Sequence, residues 1–321
     1  MPMPYQNEIQ QLKQQISRQI IGQEALVERL LVALLCDGHL LVEGAPGLAK
    51  TRAIKTLSEA IEGDFQRIQF TPDLLPADLT GTEVFRPQEA RFEFQPGPLF
   101  HNMVLADEIN RAPAKVQSAL LEAMAERQIT VGAVTHKLPE LFLVMATQNP
   151  IEQEGTYPLP EAQLDRFLLH VTVDYPDAAA ERDILHLVRG EAQHAHHAPA
   201  TMITQQALFG ARQEVLQIHM ADPLEEYLLQ LVLATRKPEG YGSELSQWIE
   251  FGASPRATIA LDRCARALAW LQGRDYVAPE DIQALAHDVL RHRIILSYEA
   301  EADGVTSDTF IDALIRTVAV P

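Results

Sequence analysis

The sequence predicts an α/β chain in two parts: a parallel αβα sandwich over residues 1–200 and an all-α helical lid over residues 201–321. Three observations carry that reading. Short apolar runs recur through the first part: Leu40-Leu41-Val42, Met103-Val104-Leu105-Ala106, Leu141 to Met145 and Phe167 to Val173. Runs that are wholly or mostly apolar are the strands of a parallel sheet buried on both faces, and helical patterns lie between them. From Thr204 the strand signals stop, and helices opened by proline follow one another.

Glu8 to Ser17 reads as a short polar helix and Glu24 to Cys36 as a strongly apolar one, carrying Leu26, Leu30, Leu31, Leu34 and Leu35. Between them, Ile21 and Gly22 either line an adenine pocket or simply end a helix. The strand Leu40 to Glu43 then delivers Gly44-Ala45-Pro46-Gly47-Leu48-Ala49-Lys50-Thr51. A strand, a Gly-rich turn, a Lys-Thr pair and a helix start are what a phosphate-binding loop requires. The turn points backbone N–H groups inward, and the helix N-terminus adds partial positive charge. Lys50 would reach the β- and γ-phosphates of ATP, and the Thr51 hydroxyl would ligate Mg²⁺. Ala49 stands where the motif G-x-x-x-x-G-K-[ST] has its second glycine. An alanine fits there if its φ is negative, as at a helix start.

Phe65 to Phe70 is a second strand. Thr71 to Phe100, rich in Pro and Gly, is too long for a plain connection and reads as an insertion carrying a hairpin, Glu83–Arg86 against Arg91–Gln95. Its Val84, Phe85, Phe92 and Phe94 require something to pack on. Asp107-Glu108 closes the strand begun at Met103, at the C-terminal edge where open α/β sheets bind ligands. Asp107 would hold Mg²⁺ through water, and Glu108 would polarise an attacking water. A strand-ending acidic turn is common alone; downstream of a phosphate loop the chemical reading is the better one.

A helix to Arg127 buries Val116, Leu120 and Met124 behind Pro113. Gln128 to Lys137 alternates around Gly132 and reads as a second hairpin. Asn149 follows the strand that ends at Met145. It either hydrogen-bonds a γ-phosphate or attacking water, or starts the Asn149-Pro150 turn. Pro158 to Asp165 leads into Arg166, which taken alone would pair with a neighbouring carboxylate. Residues 189–201 place His194, His196 and His197 among alanines without Cys or acidic ligands, and read as the linker rather than a metal site. Beyond it, helices run over Thr204–Met220 and open at Asp222-Pro223, Ser254-Pro255-Arg256 and Pro279-Glu280-Asp281. Arg256 is a cation in a first turn, which the helix dipole opposes by about 0.3–1 kcal/mol. A phosphate, or a nearby Glu, would account for it.

Composition narrows the function. Lys and Arg number 26 against 44 Asp and Glu, a formal charge of −18, which argues against nucleic-acid binding through the general surface. Cys36 and Cys264 lack metal-ligand spacing and read as small core residues of a reducing compartment. Met1 to Arg18 lacks the apolar core of a signal peptide, and no apolar run approaches the roughly 20 residues of a membrane span. A soluble, cytoplasmic chain is expected.

Taken together these stretches resemble the AAA+ ATPases over Ile20 to Arg293, and more narrowly the MoxR family. The narrower likeness rests on Gly44 to Thr51, on Asp107-Glu-Ile-Asn-Arg-Ala-Pro113, on Gly252-Ala-Ser-Pro-Arg-Ala257 and above all on the unbroken run from Ala146 to Phe167. The Ala at position 49 occurs in that family. The resemblance implies that Lys50 and Thr51 are Walker A residues and that Asp107 and Glu108 are Walker B residues. It makes Asn149 sensor 1, Arg256 sensor 2, and Arg166 an arginine finger reaching a neighbouring subunit's nucleotide. It also implies ATP and Mg²⁺ as cofactors and a homo-oligomeric, hexameric ring. The Thr71–Phe100 insert and the Gln128–Lys137 hairpin would face the pore or a partner. The activity implied is chaperone-like maturation of client proteins, including cofactor or metal insertion, beside a separate protein with a von Willebrand factor A domain. A magnesium-chelatase-like motor subunit is the nearest rival. A DNA-translocating ring is a more distant one, because the Gln128–Lys137 hairpin offers a phosphate backbone only His136 and Lys137.

Overall fold

Burial on one side explains the first two helices. α1 (Gln6–Gln19) is polar in composition yet turns Ile9, Leu12 and Ile16 inward, and α2 (Glu24–Leu35) is buried along most of its length. The chain, a computed structural model describing residues 3–150, 155–193 and 202–320, then enters β1 (Leu40–Gly44) and α3 (Lys50–Glu59). β2 (Phe65–Gln69) leads into the expected insertion. That segment holds α4 (Pro76–Thr80), β3 (Gly81–Arg86) and β4 (Arg91–Pro96), the two strands pairing Phe85 with Phe92. β5 (Met103–Asp107) is followed by α5 (Ala114–Glu126), the hairpin β6 (Gln128–Val131) and β7 (Val134–Lys137), and β8 (Leu143–Gln148). α6 (Glu161–Leu164), β9 (Leu169–Val173) and α7 (Ala178–Gln193) complete the first part.

The five core strands are parallel in the order β2-β5-β8-β1-β9. Gln69 pairs with Asp107 and Glu43 with Gln148, so the C-terminal ends of β2, β5, β8 and β1 meet along one edge. Alternate residues face opposite layers. Leu40, Val42, Leu105, Met145 and Val171 join one core with α2 and α3, while Leu41, Val104, Ala106 and Val144 join another with Val116, Leu120 and Met124 of α5.

The second part packs onto the first of these cores. α8 (Gln205–Leu216) is capped by the Thr204 hydroxyl; α9 (Asp222–Arg236), α10 (Ser243–Trp248) and β10 (Ile249–Phe251) follow. α11 (Pro255–Leu271), α12 (Pro279–Leu290), β11 (Ile295–Leu296), α13 (Tyr298–Ala302) and α14 (Ser307–Thr317) complete it. The small antiparallel pair of β10 and β11 is the exception to a wholly helical lid. Cys36 and Cys264 are buried free thiols, and their side chains meet.

Three local expectations are corrected. The strand expected over Leu141–Met145 runs instead to Gln148, because its register against β1 continues through Ala146 and Thr147. Residues 189–193 extend α7 rather than beginning a linker; Arg189, Glu191, Ala192 and Gln193 are good helix formers, and Gly190 is the one poor residue among them. His194, His196 and His197, with the rest of that linker, lie outside the described residues. Phe85 and Phe92 pack on each other, 5.2 Å apart between ring centroids, and both stay exposed near the hairpin tip. Phe94 does find a partner: it stacks on His136 of the second hairpin at 3.8 Å, tying the two hairpins together.

One buried ring ties the sheet to α5. His39, just before β1, accepts from the Val144 N–H at Nδ1 (3.1 Å) and faces the Met124 carbonyl with Nε2 (3.3 Å). The neutral ring protonated at Nε2 satisfies both contacts. Burial first, and then the Arg127 guanidinium, push its ionisation down from 6.5 to about 4. The unfolded chain therefore binds a proton that the folded chain refuses. Stability from this residue is intact above pH 6.5 and is lost as the pH falls from there towards 4, by on the order of 3 kcal/mol. Urea titrations across that range should show this decline, and His39→Gln, which keeps an acceptor and a donor, should decline less steeply by one proton. An unchanged slope in the variant would exclude His39 as the source.

Candidate functional site

Strand β1 ends at Gly44, and a cradle is built before α3 begins. A Cβ at Gly44 would stand 2.5 Å from the Val173 carbonyl oxygen, so only glycine lets β1 and β9 approach there. Gly47 is required for a different reason: its φ of +86° lies in the left-handed region, though no atom crowds it. Ala49 shares that region, at φ 58° and ψ 10°, contrary to the negative φ expected of it. The helix begins one residue later than that expectation assumed, and Ala49 is the N-cap whose carbonyl accepts from the Ala53 N–H at 2.9 Å. Holding alanine there stores roughly 1–2 kcal/mol, a cost found mostly at functional loops.

Lys50 folds back over this loop. Its Nζ donates to the Gly44 carbonyl at 2.5 Å and reaches the Gln148 carbonyl at 3.5 Å. Both partners are neutral. Burial outweighs the attraction of Asp107, Glu108 and Glu43 and holds the ammonium below its usual ionisation range. A cation so placed gains from an arriving anion. Loop, lysine and strand ends enclose a cavity of about 390 Å³ that also presents Thr51, Asp107, Glu108 and Asn149. Asn149 is 7% exposed and stands one residue beyond β8.

The two carboxylates are held by residues that sequence reasoning missed. Asp107 Oδ1 accepts from the Thr147 hydroxyl at 2.6 Å, and Oδ2 accepts from Arg67 Nε at 3.1 Å and Nη2 at 2.6 Å. The same Thr147 Oγ1 accepts from the Glu108 N–H at 2.9 Å. Glu108 is itself left-handed, at φ 57° and ψ 51°. Its Oε2 accepts from Gln69 Nε2 at 2.7 Å and lies 3.2 Å from Arg111 Nε. The available signal was the i, i+2 pairing of Arg67 and Gln69 on one face of β2; only strand order puts that face beside β5.

Ile21 and Gly22 fall on the other flank of the loop. Ile21 lines an apolar cavity of about 200 Å³ with Pro176, Ile184 and Leu187, directly against Gly47, Leu48 and Ala49. Gly22 has φ +73°, and a Cβ there would meet Ala180 Cβ at 2.8 Å, so the glycine lets α7 close over this flank. This apolar cavity lies directly beside the phosphate cradle.

Arg166 and Arg256 do not reach this cradle. They line a separate cavity of about 380 Å³ with Arg127, Arg263 and Arg293, against Asp37 and Asp165. Arg166 Nη1 donates to the Leu121 carbonyl at 2.8 Å, and no ion pair links it to another described residue. Arg256 stands 3.7 Å from Asp165 Oδ2, so an aspartate, not a glutamate, is its nearby carboxylate. Asp165 Oδ1 also accepts from the buried Arg293 Nε at 2.9 Å and Oδ2 from the Ser254 hydroxyl at 2.9 Å. The segment carrying Arg166 is thereby fastened to the starts of α11 and the end of α12.

The donor set suits Mg²⁺-ATP. Among the described residues no group of three or more His, Cys, Asp and Glu side chains gathers to cage a metal. One hydroxyl, Thr51, and one flanking carboxylate, Asp107, are what Mg²⁺ takes from a protein when phosphate oxygens and water supply the rest. Among those described residues no helix is long and apolar enough to cross a membrane.

Comparison with known proteins agrees with this geometry. Residues 39–169 match the family model described as "ATPase family associated with various cellular activities (AAA)", and residues 244–314 match that of the AAA lid domain. Chaperone MoxR1 from Mycobacterium tuberculosis is 47% identical over 308 residues, spanning 96% of this chain and 81% of that protein. Protein MoxR from Paracoccus denitrificans is 33% identical over 324 residues, spanning 94% and 93%. A candidate ATPase from Cytophaga hutchinsonii, solved at 2.00 Å, superposes with a TM-score of 0.91 at 45% identity, covering 99% of this chain and 96% of that one.

Proposed function

The chain belongs to the MoxR family of AAA+ ATPases, and from that premise we propose that it hydrolyses ATP with Mg²⁺ and uses the cycle to remodel or mature client proteins. The observation that carries this reading is the cradle itself: a half-buried Lys50 ammonium bonded only to carbonyl oxygens, facing Asp107 and Glu108 across one cavity. When bound, Mg²⁺ would supply positive charge against the negative charge developing during phosphoryl transfer. Thr51 and Asp107 would hold it, Asn149 would orient the γ-phosphate or the water, and Glu108 would take the water's proton. Ile21 and Gly22, with Leu48 and Ala49, would form the adenine side.

Arg166 and Arg256 share a cavity separate from their own cradle, and this supports both acting on a neighbouring subunit's nucleotide within a ring, hexameric as the family implies. The two hairpins, joined by the Phe94–His136 stack and tipped by Phe85 and Phe92, are the elements proposed to meet the client. A separate von Willebrand factor A domain protein is the proposed adaptor, and the domain division at residue 200 is proposed with it. Replacing Lys50 with alanine tests the core of the reading. It removes the cation at the β- and γ-phosphates, so ATP binding followed by titration with a fluorescent analogue should vanish. Undiminished affinity would sink the phosphate-loop assignment.

A further inference from the structure

Asp107 is already engaged at both oxygens. Thr147 occupies Oδ1 at 2.6 Å, and the Arg67 fork places two donors on Oδ2, at 3.1 Å and 2.6 Å. A metal ion or its water can therefore approach Oδ2 only by displacing Arg67, and reaches the remaining lone pair of Oδ1 against the charge of that guanidinium. Nothing in the packing forbids the displacement. β2 is an edge strand, and the Arg67 side chain is 50% exposed, so it can turn without repacking the core. The ion pair is of the half-exposed kind that typically contributes about 0–1 kcal/mol, a small barrier to exchange. Arg67 itself lines the cavity that holds Lys50 and Thr51, so the phosphates lie within its reach.

We propose that Arg67 is an exchangeable counter-ion of Asp107: it competes with divalent metal for that carboxylate, and once displaced it serves as a second cation for the nucleotide's phosphates. The proposal rests on the Mg²⁺-ATP reading of this cavity and adds a residue to it. The physical consequence is a pair of opposite effects. A fixed positive charge repels a metal ion arriving alone, yet attracts a triphosphate, and attracts the metal–triphosphate unit, whose net charge remains negative. Arg67 would thus disfavour metal without nucleotide and favour nucleotide. Gln69 moves with it, since Arg67 Nη2 donates to Gln69 Oε1 at 3.2 Å while Gln69 holds Glu108.

Full-length Arg67→Gln keeps the polar stem and removes the charge. Mn²⁺, measured by the magnetic-resonance signal of the free ion without nucleotide, should bind roughly tenfold tighter than to the wild type; ATP with chelator present should bind roughly tenfold more weakly. Arg67→Lys keeps the charge without the fork and should stay within about threefold of the wild type for both ligands. Opposite shifts in Arg67→Gln, restored by lysine, support the exchange. Shifts in the same direction, or none, overturn it, because a pair that merely holds β2 to β5 would move both affinities together. If the wild type bound no ATP even with Mg²⁺, the nucleotide reading itself would fall; if it did bind and Arg67→Gln shifted nothing, only the role of Arg67 would.

Discussion

Arg166→Ala should bind ATP and fold normally yet hydrolyse it about 10³–10⁵-fold more slowly, at every protein concentration. The magnitude separates two accounts of this side chain. A surface arginine fixing its own loop contributes about 0–1 kcal/mol, whereas a cation stabilising the transferring phosphoryl group in trans is worth roughly 4–7 kcal/mol. Its contacts favour the second: a single carbonyl, Leu121, holds the guanidinium, and four other arginines share its cavity. Wild-type activity per subunit should rise with concentration as rings assemble. Mixing Arg166→Ala with Lys50→Ala should restore part of the rate, because some interfaces then join an intact Lys50 cradle to an intact Arg166. Absence of recovery despite demonstrated co-assembly would leave Arg166 a structural residue of its own subunit.

Glu108→Gln should keep ATP bound while hydrolysis falls by about 10²–10⁴-fold, since an amide cannot accept the water's proton. The fold should tolerate it. The amide oxygen still accepts from Gln69 Nε2, the backbone N–H still reaches Thr147, and the left-handed turn is unchanged. Single-turnover quench-flow against equilibrium binding separates the two quantities, and turnover at the wild-type rate would remove Glu108 from the chemistry. Held in the ATP-bound state, the variant is also the form with which a client should co-purify.

How much of this could be read in the sequence depended on whether each signal is local. The cradle, the acidic end of β5 and both hairpins were legible, because apolar runs and turn residues mark them within a few positions. Arg67 and Gln69 were not. On a half-polar edge strand they resemble solvated residues until β2 is known to lie beside β5. The sign of φ at Ala49 was misjudged for a related reason: the cradle must close before the helix can start, and composition does not reveal where that closure falls. The extension of β8 to Gln148 follows from its register with β1, a partner far away in sequence. Two-residue and three-residue strands such as β11 and β10 carry too few residues to show a period.

In the proposed ring, Asp165 would add a mechanical property beyond chemistry. One oxygen takes the Arg293 guanidinium, the other the Ser254 hydroxyl, and the next residue along the chain is Arg166. A swing of the helical part that kept these bonds would carry the arginine's root with it, as one lever with two ends. Energetic coupling between two sites is reciprocal. Whatever part of the adjacent subunit's triphosphate binding depended on this subunit's lid posture, the lid posture would depend on that triphosphate to the same extent. Firing in one protomer would set the stance of the next through a four-residue knot, giving the ring an order of succession without any separate signalling element.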